Sequence, residues 1–252
     1  MHKKKYLKEL KNFEKNGWAL IKNTFNKNEI KSIKDLIINF LKKEIKKENN
    51  DKRAINFVSK KKNNINDINS FHELSNSKEI KKLANSYKIQ TIAKIFLKSK
   101  PEFRCCELFA KPAKMGLPSP AHQDNFYWGV KGSNALTIWV ALEKSNKNNG
   151  SVFYFDGSHK FGVLNHKASF AKGSSQKISN TKFLKRFKIS QPNLNPGDIL
   201  IHHSLVVHGS SKNNSSLSRK GWTIQFKDKY ANYDFDQIKK YEKSLQNQIE
   251  YR

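Results

Sequence analysis

The residues of this sequence that best fit catalytic chemistry are two histidines, an aspartate and an arginine. His122 and Asp124 are separated by one residue, and His208 follows 86 residues after His122. If 122–124 forms an extended strand, its first and third side chains point to the same face. Two imidazoles and one carboxylate form the ligand set that holds non-heme Fe(II) and leaves positions open. Arg219, eleven residues beyond His208, suits the far carboxylate of a dicarboxylate cosubstrate.

The N-terminal part that must support these residues is predicted to be mainly helical. Apolar residues recur at helical spacing over 6–15, 77–87 and 88–97, and a short strand is expected at 18–21. Asn26 and Glu29 predict a capping box at the start of a further helix, with Phe25 packing on Ile30. The Lys- and Asn-rich stretch 46–69 predicts a mobile loop or a surface excursion.

Beyond residue 102 the apolar period changes to two, which predicts strands. The expected strands are 103–109, 121–126, 136–142, 152–155, 198–203 and 221–226. Short strands separated by turn signals indicate an all-β sandwich or barrel, and Asn149-Gly150 predicts a hairpin. The polar stretch 160–195 is expected to form a lid or substrate loop, and 230–252 a surface helix.

Alternation within two of these strands indicates which side chains face a ligand. In 136–142, Thr137 and Trp139 alternate with larger aliphatic residues and are expected to face a cavity. Arg219 shares its parity with Thr223 and Gln225, opposite an apolar set. These side chains are therefore the expected lining of a binding site.

The strong positive charge is interpreted as a solvated lysine surface. The net charge is +28, yet of the 49 basic residues only five are arginine: Arg53, Arg104, Arg186, Arg219 and Arg252. Recognition of phosphates and bases favours arginine forks, whereas lysine is interleaved here with Asn and Ile, a pattern typical of AT-rich coding sequence. We therefore expect no nucleic-acid partner, and steering of an anionic substrate by the lysines stays open.

The cysteines and the hydropathy indicate a protein of a reducing compartment. Cys105 and Cys106 are neighbours in sequence, and such pairs rarely form a disulfide of good geometry, so we expect free thiols and a cytoplasmic location. The basic N-terminus is followed by no apolar segment of a signal peptide, and no apolar run approaches about 18 residues. No membrane partner is expected.

Several segments together resemble one known family. They cover nearly the whole chain except 46–69 and 160–195, and both their order and their spacing fit. They are FEKNGWALIKNTFNKN at 13–28, Lys111-Pro112, PAHQDNFYW at 120–128, LTIWVAL at 136–142, NNGSVFYFDGSHK at 148–160, GDILIHHSLVVHGS at 197–210, and Arg219. On these residues the chain resembles the phytanoyl-CoA dioxygenase family of Fe(II)/2-oxoglutarate-dependent oxygenases.

The resemblance implies a fold, a set of cofactors and six site residues. The implied fold is a double-stranded β-helix, a cupin-like jelly roll with flanking helices, in one domain over 1–252: a helical part to about 100, a core of about 101–229 and a tail of about 230–252. The implied cofactors are Fe(II), the cosubstrate 2-oxoglutarate, and O₂. The implied iron ligands are His122, Asp124 and His208. The implied 2-oxoglutarate residues are Arg219, Ser210 and Trp139.

Other residues near these motifs are expected to be structural or to have one of two roles. His203 would leave Arg219 sixteen residues away, which fits the family pattern less well than His208 does. We therefore expect His203 to be a strand residue near the site, and His202 and His159 to be structural. Lys111 either meets an anionic ligand group or lies on the surface. The residues of 125–128 either wall a substrate site or pack in the core.

The implied function is hydroxylation of an unactivated C–H bond of a small molecule, with succinate and CO₂ as coproducts. The carboxylate of Asp124 favours hydroxylation, because related halogenases have a small residue there. Nucleic-acid demethylases of this chemistry typically carry a second arginine six residues after the first, and position 225 is Gln. The alternative is a metal-binding jelly roll without oxygenase activity. Neither the substrate nor the oligomeric state can be predicted from the sequence.

Overall fold

The computed structural model describes residues 5–47, 55–59, 64–171 and 174–250. Its helices flank a β core, as the sequence predicts. The helices are α1 (Leu7–Asn16), α2 (Lys27–Lys46), α3 (Lys78–Ala84), α4 (Tyr87–Leu97), α5 (Asp124–Trp128), α6 (Thr181–Leu184) and α7 (Phe235–Glu250). Within these residues, no helix has the length and the apolar content that crossing a bilayer requires.

Thirteen strands are found in the described residues, in two antiparallel sheets and one hairpin. They are β1 (Trp18–Ile21), β2 (Ile55–Phe57), β3 (Ile68–Phe71), β4 (Pro101–Lys111), β5 (Ser119–His122), β6 (Ala135–Ala141), β7 (Val152–Phe155), β8 (His166–Ala171), β9 (Ser174–Ile178), β10 (Ile189–Ser190), β11 (Ile199–His203), β12 (His208–Ser210) and β13 (Arg219–Asp228). The large sheet has the order β1-β11-β6-β13-β4-β3-β2, and the small sheet β10-β7-β12-β5. Strands β8 and β9 form the hairpin. This is the expected double-stranded β-helix.

The large sheet separates an apolar core from the site. Alternate side chains of its central strands, among them Leu108, Ile138 and Trp222, pack against α1 to α4 in one continuous core. The opposite face is directed towards the small sheet, and Trp139 and Tyr154 pack together there. Because alternate residues of a strand point to opposite faces, one sheet can serve both the core and the cavity.

The start of α2 shows how local signals place an element. The side chain of Asn26 accepts hydrogen bonds from the backbone N–H groups of Asn28 and Glu29, and the Glu29 carboxylate accepts one from the N–H of Asn26 at 2.7 Å. The predicted capping box is confirmed. Such caps satisfy N–H groups that have no partner within the helix.

Three expectations about secondary structure are wrong. The expected loop 46–69 lies partly outside the described residues, and its described part contains β2 and the start of β3. The expected strand 121–126 ends at His122, and Asp124 begins α5 instead. Asn149-Gly150 does not close a hairpin, because β6 and β7 on its two sides belong to different sheets. Long-range pairing decided each of these outcomes, and local composition does not encode it.

Candidate active site

The three predicted metal ligands lie together in one cavity of about 560 Å³ between the two sheets. His122 ends β5, His208 begins β12, and these two residues pair directly across the small sheet. Asp124 begins α5 after one extended residue, Gln123. The ligand-type atoms of His122, Asp124 and His208 lie within 4.8 Å of one another.

Hydrogen bonds fix which ring nitrogens face the aspartate. Nδ1 of His122 lies 2.7 Å from the carbonyl oxygen of Pro120, and Nδ1 of His208 lies 3.1 Å from that of Val206. A carbonyl only accepts, so each Nδ1 carries the proton and each Nε2 keeps a lone pair. Those Nε2 atoms lie 3.8 Å and 3.5 Å from Oδ1 of Asp124. Three lone-pair donors that meet with no proton between them fit a metal cation.

The second oxygen of the aspartate is held by a chain of hydrogen bonds. Oδ2 of Asp124 accepts a bond from Oγ1 of Thr137 at 2.7 Å and lies 3.1 Å from Nε2 of His202. Nδ1 of His202 lies 3.1 Å from the hydroxyl of Tyr154. The tyrosine therefore donates to His202, and His202 donates to the carboxylate. Groups of this kind orient a ligating carboxylate and tune its basicity.

Burial and neighbouring charges set the protonation of the three residues. Burial, together with the other histidine for His122, lowers the pKa of His122 and of His208 to about 4, so both rings are neutral at pH 7. Burial would raise the pKa of Asp124, but the surrounding histidines lower it below its usual range. Two neutral imidazoles and one carboxylate are the ionisation states that metal binding needs.

The predicted cosubstrate residues lie together at one end of the same cavity, which we call the Arg219 end. Its members are Lys111, Trp139, Ser210 and Arg219. Arg219 is 2% exposed, and its guanidinium carbon lies 5.3 Å from the ring centroid of Trp139. Arg219 donates hydrogen bonds to the backbone carbonyls of Gly150 and Phe109, while its Nε has no partner in the described part of the chain.

A buried guanidinium with an unpaired N–H fits an anionic ligand. Burial lowers the pKa of Arg219 to about 9, so it remains charged at pH 7. Leaving such a group unpaired is costly, and a carboxylate can accept two parallel hydrogen bonds from it. The buried hydroxyl of Ser210 lines the same end and adds a donor. The residues here fit the far carboxylate of 2-oxoglutarate.

Lys111 is a second buried basic residue at this end, and its interpretation as a surface lysine is wrong. It pairs with Arg219 across the β4–β13 ladder, is 3% exposed, and donates a hydrogen bond from Nζ to the carbonyl of Leu117. Burial, and then repulsion from Arg219, lowers the pKa of Lys111 to about 6. Nothing local in the sequence distinguishes this lysine, because its burial depends on strand pairing.

The structure exchanges the roles expected for His202 and His203. His202, expected to be structural, lines the cavity and contacts Asp124. His203, expected near the site, instead packs against Phe13 and against His159, whose own structural assignment fits its turn position. Successive residues of β11 face opposite sides of the sheet. In the pairing of β11 with β6, His202 lies opposite Thr137, which faces the cavity, and this register places His202 and not His203 in the site.

The opposite end of the cavity, which we call the Arg104 end, joins two residues of the predicted stretch 125–128 to four residues for which the sequence indicated no role in the site. Its members are His72, Arg104, Glu107, Tyr127, Trp128 and Tyr241. Of the four residues 125–128, Tyr127 and Trp128 line the cavity, whereas Asn125 and Phe126 are buried elsewhere. On the β4–β13 ladder, Arg219 pairs with Lys111 and Gln225 pairs with Cys105, six positions further along each strand. At about 3.3 Å per residue the two levels are roughly 20 Å apart.

A double-stranded β-helix with a His-X-Asp and distal His centre defines the structural class. The family model of phytanoyl-CoA dioxygenase matches residues 13–221. The chain therefore belongs to the phytanoyl-CoA dioxygenase family, a family within the Fe(II)- and 2-oxoglutarate-dependent dioxygenases, as its sequence motifs predicted.

Relatives of known sequence agree with this family. The chain is 28% identical over 152 residues to phytanoyl-CoA dioxygenase domain-containing protein 1 of Danio rerio, covering 57% of this chain and 51% of that protein. It is 28% identical over 127 residues to the peroxisomal phytanoyl-CoA dioxygenase of Mus musculus, covering 47% and 37%. The chain thus spans about half or less of the length of these relatives.

Solved structures agree on the fold. EctD from S. alaskensis, with bound Fe, superposes with a TM-score of 0.74 at 19% identity, covering 90% of this chain and 78% of that one. The non-heme α-ketoglutarate-dependent carbocyclase SnoK from nogalamycin biosynthesis superposes with a TM-score of 0.72 at 17% identity, covering 90% and 85%.

Proposed function

We propose that this protein is an Fe(II)- and 2-oxoglutarate-dependent dioxygenase that hydroxylates an unactivated C–H bond of a small molecule. Succinate and CO₂ would be the coproducts. The observation that carries the proposal is the one cavity in which three metal-ligand atoms converge and a buried guanidinium has an unpaired N–H. Family membership supports the same chemistry.

The proposed iron ligands are His122, Asp124 and His208. The neutral rings present their Nε2 lone pairs, and Thr137 and His202 hold Oδ2 of Asp124 so that Oδ1 faces both rings. When bound, Fe(II) with 2-oxoglutarate and O₂ supplies the oxidation that cleaves the 2-oxo acid and activates the C–H bond. The carboxylate of Asp124 would take a coordination position that related halogenases leave open, which favours hydroxylation over halogenation.

The proposed 2-oxoglutarate residues are Arg219, Ser210 and Trp139, and we add Lys111 because it is buried beside Arg219. Arg219 and Ser210 would bind the far carboxylate, and Lys111 would add positive charge beside it. The indole of Trp139, 3% exposed, lies over the guanidinium and keeps water from it. Charge-assisted hydrogen bonds are stronger in such a dry pocket than at a surface.

The remaining features of the proposal rest on the sequence. We propose one domain over 1–252 and a cytoplasmic location, because two free cysteines, Cys105 and Cys106, fit a reducing compartment. The substrate would be a small molecule bound in the cavity beside the metal ligands.

The proposal is tested by anaerobic titration of the purified protein with Fe(II) and then 2-oxoglutarate. We expect the visible charge-transfer band that a 2-oxo acid gives when it chelates Fe(II). Asp124→Ala should abolish Fe(II) binding, whereas Arg219→Ala should keep Fe(II) and weaken 2-oxoglutarate. His203→Asn and Arg186→Gln are matched controls, because His203 lies outside the cavity lining and Arg186 is exposed.

Each contrary outcome has its own meaning. Fe(II) binding without any band, and without succinate formation under O₂, would indicate a metal-binding jelly roll that is not an oxygenase. Absence of Fe(II) binding would refute the triad. Loss of the band in the His203→Asn control as well would show that the variants act through folding.

A further inference from the structure

Strand β4 contains an irregularity at Arg104 that redirects this side chain. From Cys106 to Ala110 the even-numbered residues pack in the core, and from Cys105 to Lys111 the odd-numbered residues line the cavity. The β13 register shifts at this point, because Gln225 pairs with Cys105 while its neighbour Phe226 pairs with Phe103. Arg104 is therefore the extra residue of a bulge.

The bulge reverses the parity of the strand. Regular alternation would direct Arg104 into the apolar core, but Phe103 takes the core position against Phe226 and Arg104 lines the cavity. Bulges are known to redirect side chains next to functional sites. Arg104 therefore has no partner on β13, and its cationic side chain lies in the cavity.

The guanidinium of Arg104 is held in place but has no anionic partner. Nη1 donates to the hydroxyl of Tyr233 at 3.1 Å, and the guanidinium carbon lies 5.0 Å from the ring centroid of Trp128 and 5.8 Å from that of Tyr233. Its Nε is buried and has no hydrogen-bond partner among the described residues. Across the part of the chain that the structure describes, no carboxylate lies within ion-pair distance of it.

The acidic residues of the cavity already have hydrogen-bond partners other than Arg104. Glu107 lies 2.7 Å from Nδ1 of His72 and accepts a hydrogen bond from Gln225 at 2.7 Å. Asp124 faces the histidines of the triad and His202. Arg104 is therefore an uncompensated cation at its end, as Arg219 is at the other.

Aromatic rings line the Arg104 end of the cavity. Tyr127 packs on Tyr241 of α7 with ring centroids 5.0 Å apart, and Trp128 lies beside Arg104. Rings of this kind accept an apolar body, while a guanidinium takes a planar anion by a two-pronged hydrogen bond.

We propose that Arg104 is a specificity-determining residue that binds an anionic group, of the carboxylate or phosphate class, on the substrate. The proposal rests on the proposed function, since it takes the Arg219 end to be filled by 2-oxoglutarate. The substrate would then have an apolar body against Tyr127, Trp128 and Tyr241 and an anionic terminus at Arg104.

The test measures binding of matched probes by calorimetry to protein held anaerobically with Fe(II) and saturating 2-oxoglutarate. The probes are phenylacetate, phenyl phosphate and the neutral phenylacetamide. We expect at least one acid to bind about tenfold or more tightly than the amide, the gain of a charge-assisted hydrogen bond. The two acids distinguish a carboxylate from a phosphate terminus. A charge-transfer band that persists shows that 2-oxoglutarate was not displaced from Arg219.

Substitutions of Arg104 test whether the acidic probe binds at this residue. Arg104→Gln and Arg104→Met should both lose the preference for the acid. The second variant is included in case the first does not fold, because methionine also has an unbranched side chain that can pack between the rings. Arg186→Gln is the matched control, because Arg186 also lies against two aromatic rings, Phe161 and Phe183, but outside the cavity lining. Its preference should equal that of the wild type.

Two results would overturn the proposal. One is that neither acid binds more tightly than the amide to the wild type. The other is that the preference survives in the Arg104 variants, in which case Arg104 serves only to pack Trp128 and Tyr233. The two proposals fail in different measurements. If the proposed function is wrong, the charge-transfer band is absent, whereas calorimetry still reports whether the probes bind at Arg104.

Discussion

The two ends of the cavity differ in how the chain builds them. The Arg219 end is formed by side chains of four β strands, each paired with a neighbouring strand of its sheet. The Arg104 end combines a bulge of β4, His72 directly after β3, the short helix α5 and Tyr241 of α7. A site on paired strands is rigid, whereas a site assembled from remote segments can change without disturbing the core. This difference fits a constant cosubstrate and a variable substrate.

Gly221→Ala is expected to have the largest effect, at the Arg219 end. A Cβ atom at position 221 would lie 2.0 Å from Cζ2 of Trp139, so the indole would have to leave its place over Arg219. Overpacking of this kind typically costs about 1–3 kcal/mol. Urea unfolding should show that loss, together with weaker 2-oxoglutarate binding. The double variant with Trp139→Phe should recover part of the stability, and purely additive losses would contradict the packing argument.

His202→Phe is expected to weaken Fe(II) binding roughly tenfold to a hundredfold, as loss of a hydrogen bond to a ligating carboxylate typically does. Asp124 would keep only the bond from Thr137 to its Oδ2. Competition with a chromogenic chelator measures the affinity. His203→Phe is the control, since His203 faces away on the same strand. Equal losses in the two variants would show that the strand, and not the hydrogen bond, is responsible.

Lys111 is expected to make 2-oxoglutarate binding depend on pH. Its pKa near 6 leaves it neutral at pH 7.5, and a bound dianion would raise that pKa, so binding should take up close to one proton. Affinity should therefore fall as pH rises, at most about tenfold per pH unit. Calorimetry in buffers of different ionisation enthalpy measures the uptake. Lys111→Met should take up none, and equal uptake in both proteins would exclude Lys111 as its source.

The lowered pKa of Lys111 also makes the stability of the folded protein depend on pH. Because the folded pKa of Lys111 lies below the value of 10.5 for a free lysine, the unfolded chain binds more protons between these values. The contribution of Lys111 to stability should thus increase as pH rises through this window. The difference in urea midpoint between wild type and Lys111→Met reports it.

His72→Asn is expected to have the smallest effect and to leave the Arg219 end unchanged. Burial lowers the pKa of His72, but the carboxylates of Glu107 and Glu73 together raise it more, so the folded pKa lies above 6.5. The ion pair stabilises fully below pH 6.5 and is lost as pH rises through the folded pKa. We expect about 1 kcal/mol at pH 6, with 2-oxoglutarate affinity within about twofold. A large change in that affinity would show that the two ends are coupled.

Local signals determined much of the protein in advance. The capping box at Asn26, most strands of the core and three residues of the Arg219 end, Trp139, Ser210 and Arg219, follow from turn chemistry, period and motif spacing. Trp139 and Arg219 fall on the cavity side because strand parity carries from one residue to the next. The structure brings all six sequence-predicted site residues into one cavity.

Only the tertiary structure decided the rest. Asp124 begins a helix, His202 and not His203 contacts it, Lys111 is buried, and a bulge turns Arg104 into the cavity. Each outcome depends on the register between strands remote in sequence or on what covers a strand. A shift of one residue exchanges the two faces of a strand, so such choices are made by the packed sheet and not by the local sequence.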